Sequence, residues 1–102
     1  MMSALKRKRV EITDEQGLHL RAANRVAQLA KRFQSDIRVF WNDRVADGKS
    51  ILDLIALGAE CGAHLEFEVI GPDSEEAGAA FTELVENRFC DHESARDHAS
   101  EA

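Results

Sequence analysis

The chain has 102 residues, 44% of them hydrophobic, and a formal net charge of −6. This length predicts a single domain, and the acidic charge argues against broad contact with nucleic acid, which requires a basic surface. Residues 1–9 are basic but lack the apolar stretch of a signal peptide, and no apolar run is long enough to span a bilayer, so we expect a cytoplasmic protein without membrane contact.

The first predicted elements are a strand and a helix joined by a short loop. Val10 and Ile12 alternate with polar residues, which indicates a half-buried strand over about residues 6–13. Residues 14–17 form the predicted loop. From residue 20 onward, apolar side chains recur at intervals of three and four, as on the buried face of a helix. This repeat consists of Leu20, Ala23, Val26, Ala27, Ala30 and Phe33.

Two strands and a short helix are predicted in the middle of the chain. Apolar and polar residues alternate over 37–41, and an Asn-Asp pair then favours a tight turn into a third strand over 44–46. Ser50 can cap a short helix over 51–57, with Asp53 three residues later in a capping-box pattern.

The end of the chain predicts a fourth strand over 65–69 and a last helix. Asp73 and Glu76 form a second capping-box pattern before that helix. Residues 1–90 form the predicted domain, and the polar segment 91–102 is expected to be disordered. The buried stripe of the last helix is Ala77, Ala80, Phe81, Leu84 and Val85.

The predicted order of elements is βαββαβα. Four strands with helices on one face give a two-layer α+β sandwich. Several small folds share the first part of this order, so the order alone leaves the fold family open.

The cysteines predict neither a disulfide nor a metal site. Cys61 and Cys90 are the two cysteines, and a cytosolic chain keeps its thiols reduced. The spacing of Cys90, His92 and His98 matches no usual zinc pattern. We expect no metal and no other cofactor.

One seven-residue motif suits phosphate chemistry. A glycine permits a sharp turn, and the start of a helix offers unpaired N–H groups and the positive end of the helix dipole. Phosphate binds well at such a point. A histidine at the helix start, with an arginine two residues later, could hold a phosphoryl group on the imidazole. The motif reads Gly17-Leu18-His19-Leu20-Arg21-Ala22-Ala23.

With these residues the chain resembles the HPr family, the histidine-containing phosphocarriers of the bacterial phosphoenolpyruvate-dependent phosphotransferase system. The family motif before the first helix is Gly-Leu-His-Ala-Arg-Pro-Ala. Phe-x-Ser-x-Ile, Lys-Ser-Ile with Leu-Gly, and Gly-x-Asp follow in the family order, and the resemblance covers roughly residues 6–90. Their residues are Phe33, Ser35 and Ile37, then Lys49, Ser50, Ile51, Leu57 and Gly58, then Gly71 and Asp73.

The resemblance implies an open-faced two-layer sandwich, with a four-stranded antiparallel sheet covered on one face by three helices. It also implies that His19 accepts a phosphoryl group from Enzyme I, charged by phosphoenolpyruvate, and passes it to a IIA-type acceptor. The phosphate would lie on the imidazole nitrogen nearer the backbone, with Arg21 as its support. We expect a monomeric carrier with a transient phosphohistidine rather than a classical enzyme.

A second surface is expected around the short helix. Ser50 matches a family serine that HPr kinase phosphorylates in some organisms, so it is a candidate regulatory site as well as a cap. The short helix has more apolar surface than it can bury. We assign Leu54 to the core and expect partners to contact Leu20, Ile51, Leu52 and Ile55.

Two positions depart from the family motif. The family proline is Ala22 here, which leaves the first helical turn less preorganised. The small residue after the histidine is Leu20, whose larger side chain is expected to alter docking to Enzyme I.

Two other functions compete with the phosphocarrier. The first is a regulatory module of the same fold that acts through its Ser50 surface on an enzyme or a transcription factor. The second is a ferredoxin-like nucleic-acid module, which the acidic charge and the lack of paired aromatic residues on the central strands oppose.

Overall fold

The computed structural model describes residues 3–90, and the predicted disordered segment 91–102 lies outside that range. Seven elements follow one another in the predicted order βαββαβα. They are β1 (Ser3–Glu11), α1 (Leu20–Lys31), β2 (Asp36–Trp41), β3 (Arg44–Asp47), α2 (Ile51–Ala56), β4 (His64–Gly71) and α3 (Ser74–Glu86).

The four strands form one antiparallel sheet in the order β1-β4-β2-β3. Strand β1 begins earlier than the alternation of side chains predicts, because its pairing with β4 extends to Ser3, which lies opposite Gly71. The register of this pairing shifts between Leu5 and Lys8. The turn into β3 is tight, as predicted, since Asn42 and Asp43 both adopt left-handed backbone angles, with φ of 53° and 66°.

The core lies between one face of the sheet and the three helices. Strand residues that alternate along β2 and β4 are buried there, and Phe67 of β4 contacts Phe81 of α3 with ring centroids 4.6 Å apart. Helix α1 packs against α2 and α3. The sandwich predicted from the sequence is therefore confirmed. Within residues 3–90, no helix is long and apolar enough to cross a membrane.

The apolar stripe predicted for α1 needs correction at both ends. Leu20 is 66% exposed, whereas Ala22 and Leu29 are buried in the core. The helix ends at Lys31, so Phe33 lies beyond it and is only partly buried against the core. A first-turn residue that faces away from the sheet follows the helical spacing without joining the core.

The capping box predicted for α3 is wrong. Asp73 precedes the helix, but its side chain caps no α3 amide. Its carboxylate instead accepts the Gln34 N–H at 3.0 Å, the Ser35 N–H at 2.9 Å and the Ser35 hydroxyl. This residue therefore ties the start of α3 to the loop between α1 and β2.

These hydrogen bonds stabilise the ionised form of Asp73. The Ser35 hydroxyl contributes most, and the backbone N–H groups of Gln34 and Ser35 add to it, so the pKa of the carboxyl lies below its ordinary value of 3.8 although burial opposes the shift. A depressed folded-state pKa contributes stability above the unfolded-state pKa, and that contribution is lost as pH falls through the folded-state pKa.

We expect Asp73→Asn to lower the melting temperature near neutral pH and to converge with the wild type in acid. Thermal unfolding followed by circular dichroism between about pH 7 and about pH 2 measures the difference. Asp43→Asn is the control, because Asp43 is exposed and asparagine tolerates its left-handed backbone. A difference between Asp73→Asn and the wild type that is constant at every pH would contradict the role of the charge.

Candidate functional site

The loop before α1 is built around Asp14. One carboxylate oxygen, Oδ1, accepts the Gln16 N–H at 2.8 Å, and the Asp14 carbonyl accepts the Gly17 N–H at 3.0 Å. A side chain that binds the backbone two residues later forms an Asx turn, which is a common use of aspartate in loops. Asp14 is buried, with 8% of its surface exposed.

Gly17 brings this loop against the chain that follows α2. Its φ is +69°, and a Cβ atom at this position would lie 2.7 Å from both the Ala59 carbonyl oxygen and the Glu60 Cα. The next residue, Leu18, donates its N–H to the Ala59 carbonyl at 3.0 Å and is itself buried. A side chain is excluded here by both backbone angle and space, which explains the glycine of the motif.

His19 is the N-cap residue of α1. Its backbone is extended, with φ −83° and ψ −176°, and its carbonyl accepts the Ala23 N–H at 2.8 Å. The imidazole makes no capping hydrogen bond. Its Nε2 atom is buried without a hydrogen-bond partner among the described residues and lies 3.8 Å from Asp14 Oδ2. Asp14 is absent from the predicted site residues, because a carboxylate five residues before the histidine is also an ordinary feature of a loop.

The first turn of α1, which follows His19 directly, carries positive charge. The N–H groups of residues 20–22 belong to the set that a helix leaves without intrahelical acceptors. Arg21 is exposed and forms no ion pair with a carboxylate of the described chain. His19 and Arg21 thus lie two residues apart at the start of α1.

Ser50 caps α2, as predicted. Its Oγ accepts the Asp53 N–H at 3.2 Å. The reciprocal half of a capping box is absent from this turn, because the Asp53 carboxylate accepts the Asp47 N–H at 3.2 Å instead. Ser50 therefore stands between two acidic residues, Asp47 and Asp53.

The apolar residues predicted to meet partners differ in exposure. Leu52 is 80% exposed and Ile55 38%, and Leu20 of the neighbouring helix is exposed as well. Ile51 is partly exposed and packs in part against the core, and its role in docking stays a prediction. Leu54 is buried, which confirms its place in the core.

The two cysteines are free thiols, and both are exposed. Residues 3–90 contain no group of three or more His, Cys, Asp or Glu side chains arranged to hold a metal ion. His92 and His98, which we considered with Cys90, lie outside the described residues.

The comparisons with known proteins agree on one family. The family described as PTS HPr component phosphorylation site matches residues 6–87. The phosphocarrier protein HPr of Neisseria meningitidis serogroup A is 41% identical over 80 residues, which cover 78% of this chain and 90% of that protein.

Solved HPr structures match as well. HPr-C-His from Thermoanaerobacter tengcongensis is 34% identical, with a TM-score of 0.79 and coverage of 83% of this chain and 96% of that chain. HPr from Bacillus anthracis str. Ames is 30% identical, with a TM-score of 0.77 and coverage of 81% and 98%.

Because Gly17 lies so close to residues 59–60, we expect a side chain at this position to lower the free energy of unfolding. Gly58→Ala places a Cβ on a residue with nearly the same φ, +71°, and with only Arg44 Nη1 nearby at 3.8 Å, so it measures the backbone penalty of about 1 kcal/mol without a clash. Gly17→Ala adds the clash and should lose at least about twice as much. Urea denaturation measures both free energies of unfolding, and equal losses would contradict the packing argument.

Proposed function

This chain belongs to the HPr family of phosphocarriers, and on that premise we propose that His19 accepts a phosphoryl group from Enzyme I, charged by phosphoenolpyruvate, and passes it to a IIA-type acceptor. The observation that carries the proposal is the placement of the imidazole at the start of α1, with one ring nitrogen buried and Arg21 two residues away. No cofactor is required, since the phosphoryl group is itself the cargo.

The burial of Nε2 supports Nδ1 as the reacting nitrogen of His19. An incoming phosphoryl group needs an accessible lone pair, and Nε2 faces the Asp14 loop instead of solvent. Nδ1 is the remaining ring nitrogen. In the proposed step the Nδ1 lone pair forms an N–P bond while the bond from phosphorus to the donor breaks, and the electron pair of that bond leaves with the donor.

Positioning and charge compensation supply the rest of the chemistry. A phosphoryl group on His19 would lie near the N–H groups of the first turn of α1, where the helix dipole favours negative charge. Arg21 can add a charge-assisted hydrogen bond to a phosphoryl oxygen. Because Arg21 is exposed, water screens its attraction, and the phosphohistidine is stabilised only moderately.

The two departures from the family motif bear on the partner more than on the chemistry. Ala22 is fully buried, so a methyl group fills the core position without the fixed backbone angle of proline. Leu20 adds an exposed apolar side chain directly beside His19. We propose that this side chain, together with Leu52 and Ile55 of the adjoining α2, contacts Enzyme I and the acceptor.

The open face of the sheet gives no support to a nucleic-acid partner. Arg7 lies between Glu66 and Glu68 at 3.3 and 3.2 Å, and its guanidinium covers the Phe40 ring at 3.9 Å. Basic side chains that are neutralised in this way do not form the positive surface that phosphate backbones require. We propose a cytoplasmic, monomeric carrier without nucleic-acid or membrane partners.

His19→Ala should abolish labelling when the full chain is incubated with Enzyme I and radiolabelled phosphoenolpyruvate, because the acceptor nitrogen is gone. The wild type should gain one acid-labile, alkali-stable phosphate. His64→Ala is the matched control, since His64 is an exposed histidine of β4, and it should be labelled like the wild type. Equal labelling of His19→Ala and the wild type would overturn the assignment.

Regulation at Ser50 is a separate proposal that the exposed residues of α2 favour. Ser50 begins the helix that carries Leu52, so a phosphate added by an HPr kinase would enter beside the proposed docking surface with about two negative charges. The neighbouring Asp47 and Asp53 already make this turn acidic. A regulatory module that acts on an enzyme or transcription factor through this surface is the alternative function.

Ser50→Asp should accept phosphate from Enzyme I more slowly than the wild type while keeping its stability, because aspartate is a good N-cap. Ser50→Ala loses the cap at a cost of about 1 kcal/mol but adds no charge, so its transfer rate should stay near that of the wild type. Rapid-quench kinetics and thermal unfolding provide both measurements. If the two variants slow transfer equally, Ser50 acts only as a cap.

A further inference from the structure

We propose that Asp14 is a positioning residue for the His19 imidazole: its carboxylate binds the Nε2–H and holds the ring in the tautomer that leaves the Nδ1 lone pair free. The inference concerns the same site as the proposed function and rests on it. Asp14 precedes the seven-residue motif that begins at Gly17, and the site predicted from the sequence does not include it.

The buried Nε2 of His19 needs a hydrogen-bond partner, and Asp14 can supply one. In a neutral imidazole one nitrogen carries a hydrogen and the other a lone pair, and the hydrogen bond made by one nitrogen decides which form is present. His19 Nε2 is buried with no hydrogen-bond partner among the described residues. Asp14 Oδ2 is an acceptor 3.8 Å away, and an approach of about 0.6 Å would bring it within hydrogen-bond distance of an Nε2–H.

The carboxylate is held in place for this contact. Oδ1 is occupied by the Gln16 N–H at 2.8 Å, and the Asp14 carbonyl holds the Gly17 N–H. The side chain is only 11% exposed, and that of His19 only 21%. Oδ2 is therefore the oxygen left for the imidazole, and little water competes for it.

The contact has a consequence for the transfer step. The hydrogen stays on Nε2 throughout, so the ring becomes positively charged when Nδ1 forms the N–P bond. The ionised Asp14 compensates that charge, in the way that a buried aspartate orients and stabilises a catalytic imidazole in hydrolases. No proton passes to Asp14, and the charge returns to its starting value when the phosphoryl group leaves.

Asparagine at position 14 reverses the preference of His19 between its two tautomers. Its carbonyl oxygen can keep the Gln16 N–H, and its amide NH₂ then faces Nε2 as a donor. Nε2 must then be the acceptor, which moves the hydrogen to Nδ1 and removes the lone pair that attacks phosphorus. Glu15→Gln is the matched control, because Glu15 is an exposed neighbour and loses the same charge.

The test is nitrogen NMR on the full chain labelled with ¹⁵N-histidine, recorded at about pH 8.5, above the ordinary imidazole pKa of about 6.5. The wild type and Glu15→Gln should show His19 with hydrogen on Nε2, and Asp14→Asn should shift the population toward hydrogen on Nδ1. A wild-type His19 that carries its hydrogen on Nδ1 overturns the proposal, whether or not the variant folds. An unchanged tautomer in Asp14→Asn overturns it as well.

Phosphotransfer from Enzyme I then separates this inference from the proposed function. Asp14→Asn should accept phosphate several-fold more slowly than Glu15→Gln, and an equal rate in a variant with the altered tautomer overturns the positioning role. If the tautomers behave as expected but the wild type accepts no phosphate, the proposed function fails while the contact between Asp14 and His19 stands.

Discussion

The close approach of Gly17 and Leu18 to Ala59 and Glu60 determines where the candidate site lies. The Leu18 N–H bonds the Ala59 carbonyl, and Gly17 leaves room for that contact by having no Cβ. The loop that precedes α1 is thereby held against the chain that leaves α2. The start of α1 and the exposed side chains of α2 belong to one end of the molecule for this reason.

The loop and the first turn of α1 together have three properties that suit a phosphocarrier. Asp14 closes the turn and lies 3.8 Å from the buried Nε2, the extended backbone of His19 places this residue at the helix start, and Arg21 stays exposed. A carrier must release its phosphoryl group as readily as it accepts it. Support from helix amides and a solvent-screened arginine is suited to that requirement, because it compensates charge without holding the group tightly.

Periodicity and turn chemistry predict most of the fold, because each strand and helix buries one face and the alternation of apolar residues records it. The order of elements, the Asn42-Asp43 turn and the cap at Ser50 follow from local patterns. The contact of Asp73 with Ser35 does not, since it joins residues 38 positions apart and takes the place of the local cap that the sequence predicts for α3. The exposure of Leu20 and the partial burial of Ile51 also depend on how the helices pack.

The candidate site, like the fold, could be predicted from the sequence only in part. The residues of the motif, from Gly17 to Ala23, are contiguous and could be identified from the sequence, together with the chemistry of a helix start. Asp14 could not be distinguished from an ordinary loop residue, because its role depends on the fold of the turn that brings its carboxylate to Nε2.

The proposed function depends on a single atom, Nδ1 of His19. Phosphorylating the ¹⁵N-histidine-labelled chain with Enzyme I and phosphoenolpyruvate, and recording ³¹P and ¹⁵N spectra of the product, locates the phosphorus directly. We expect phosphorus bonded to Nδ1 of His19, with the hydrogen retained on Nε2. Phosphorus bonded to Nε2 of His19, or to any other residue, would contradict it.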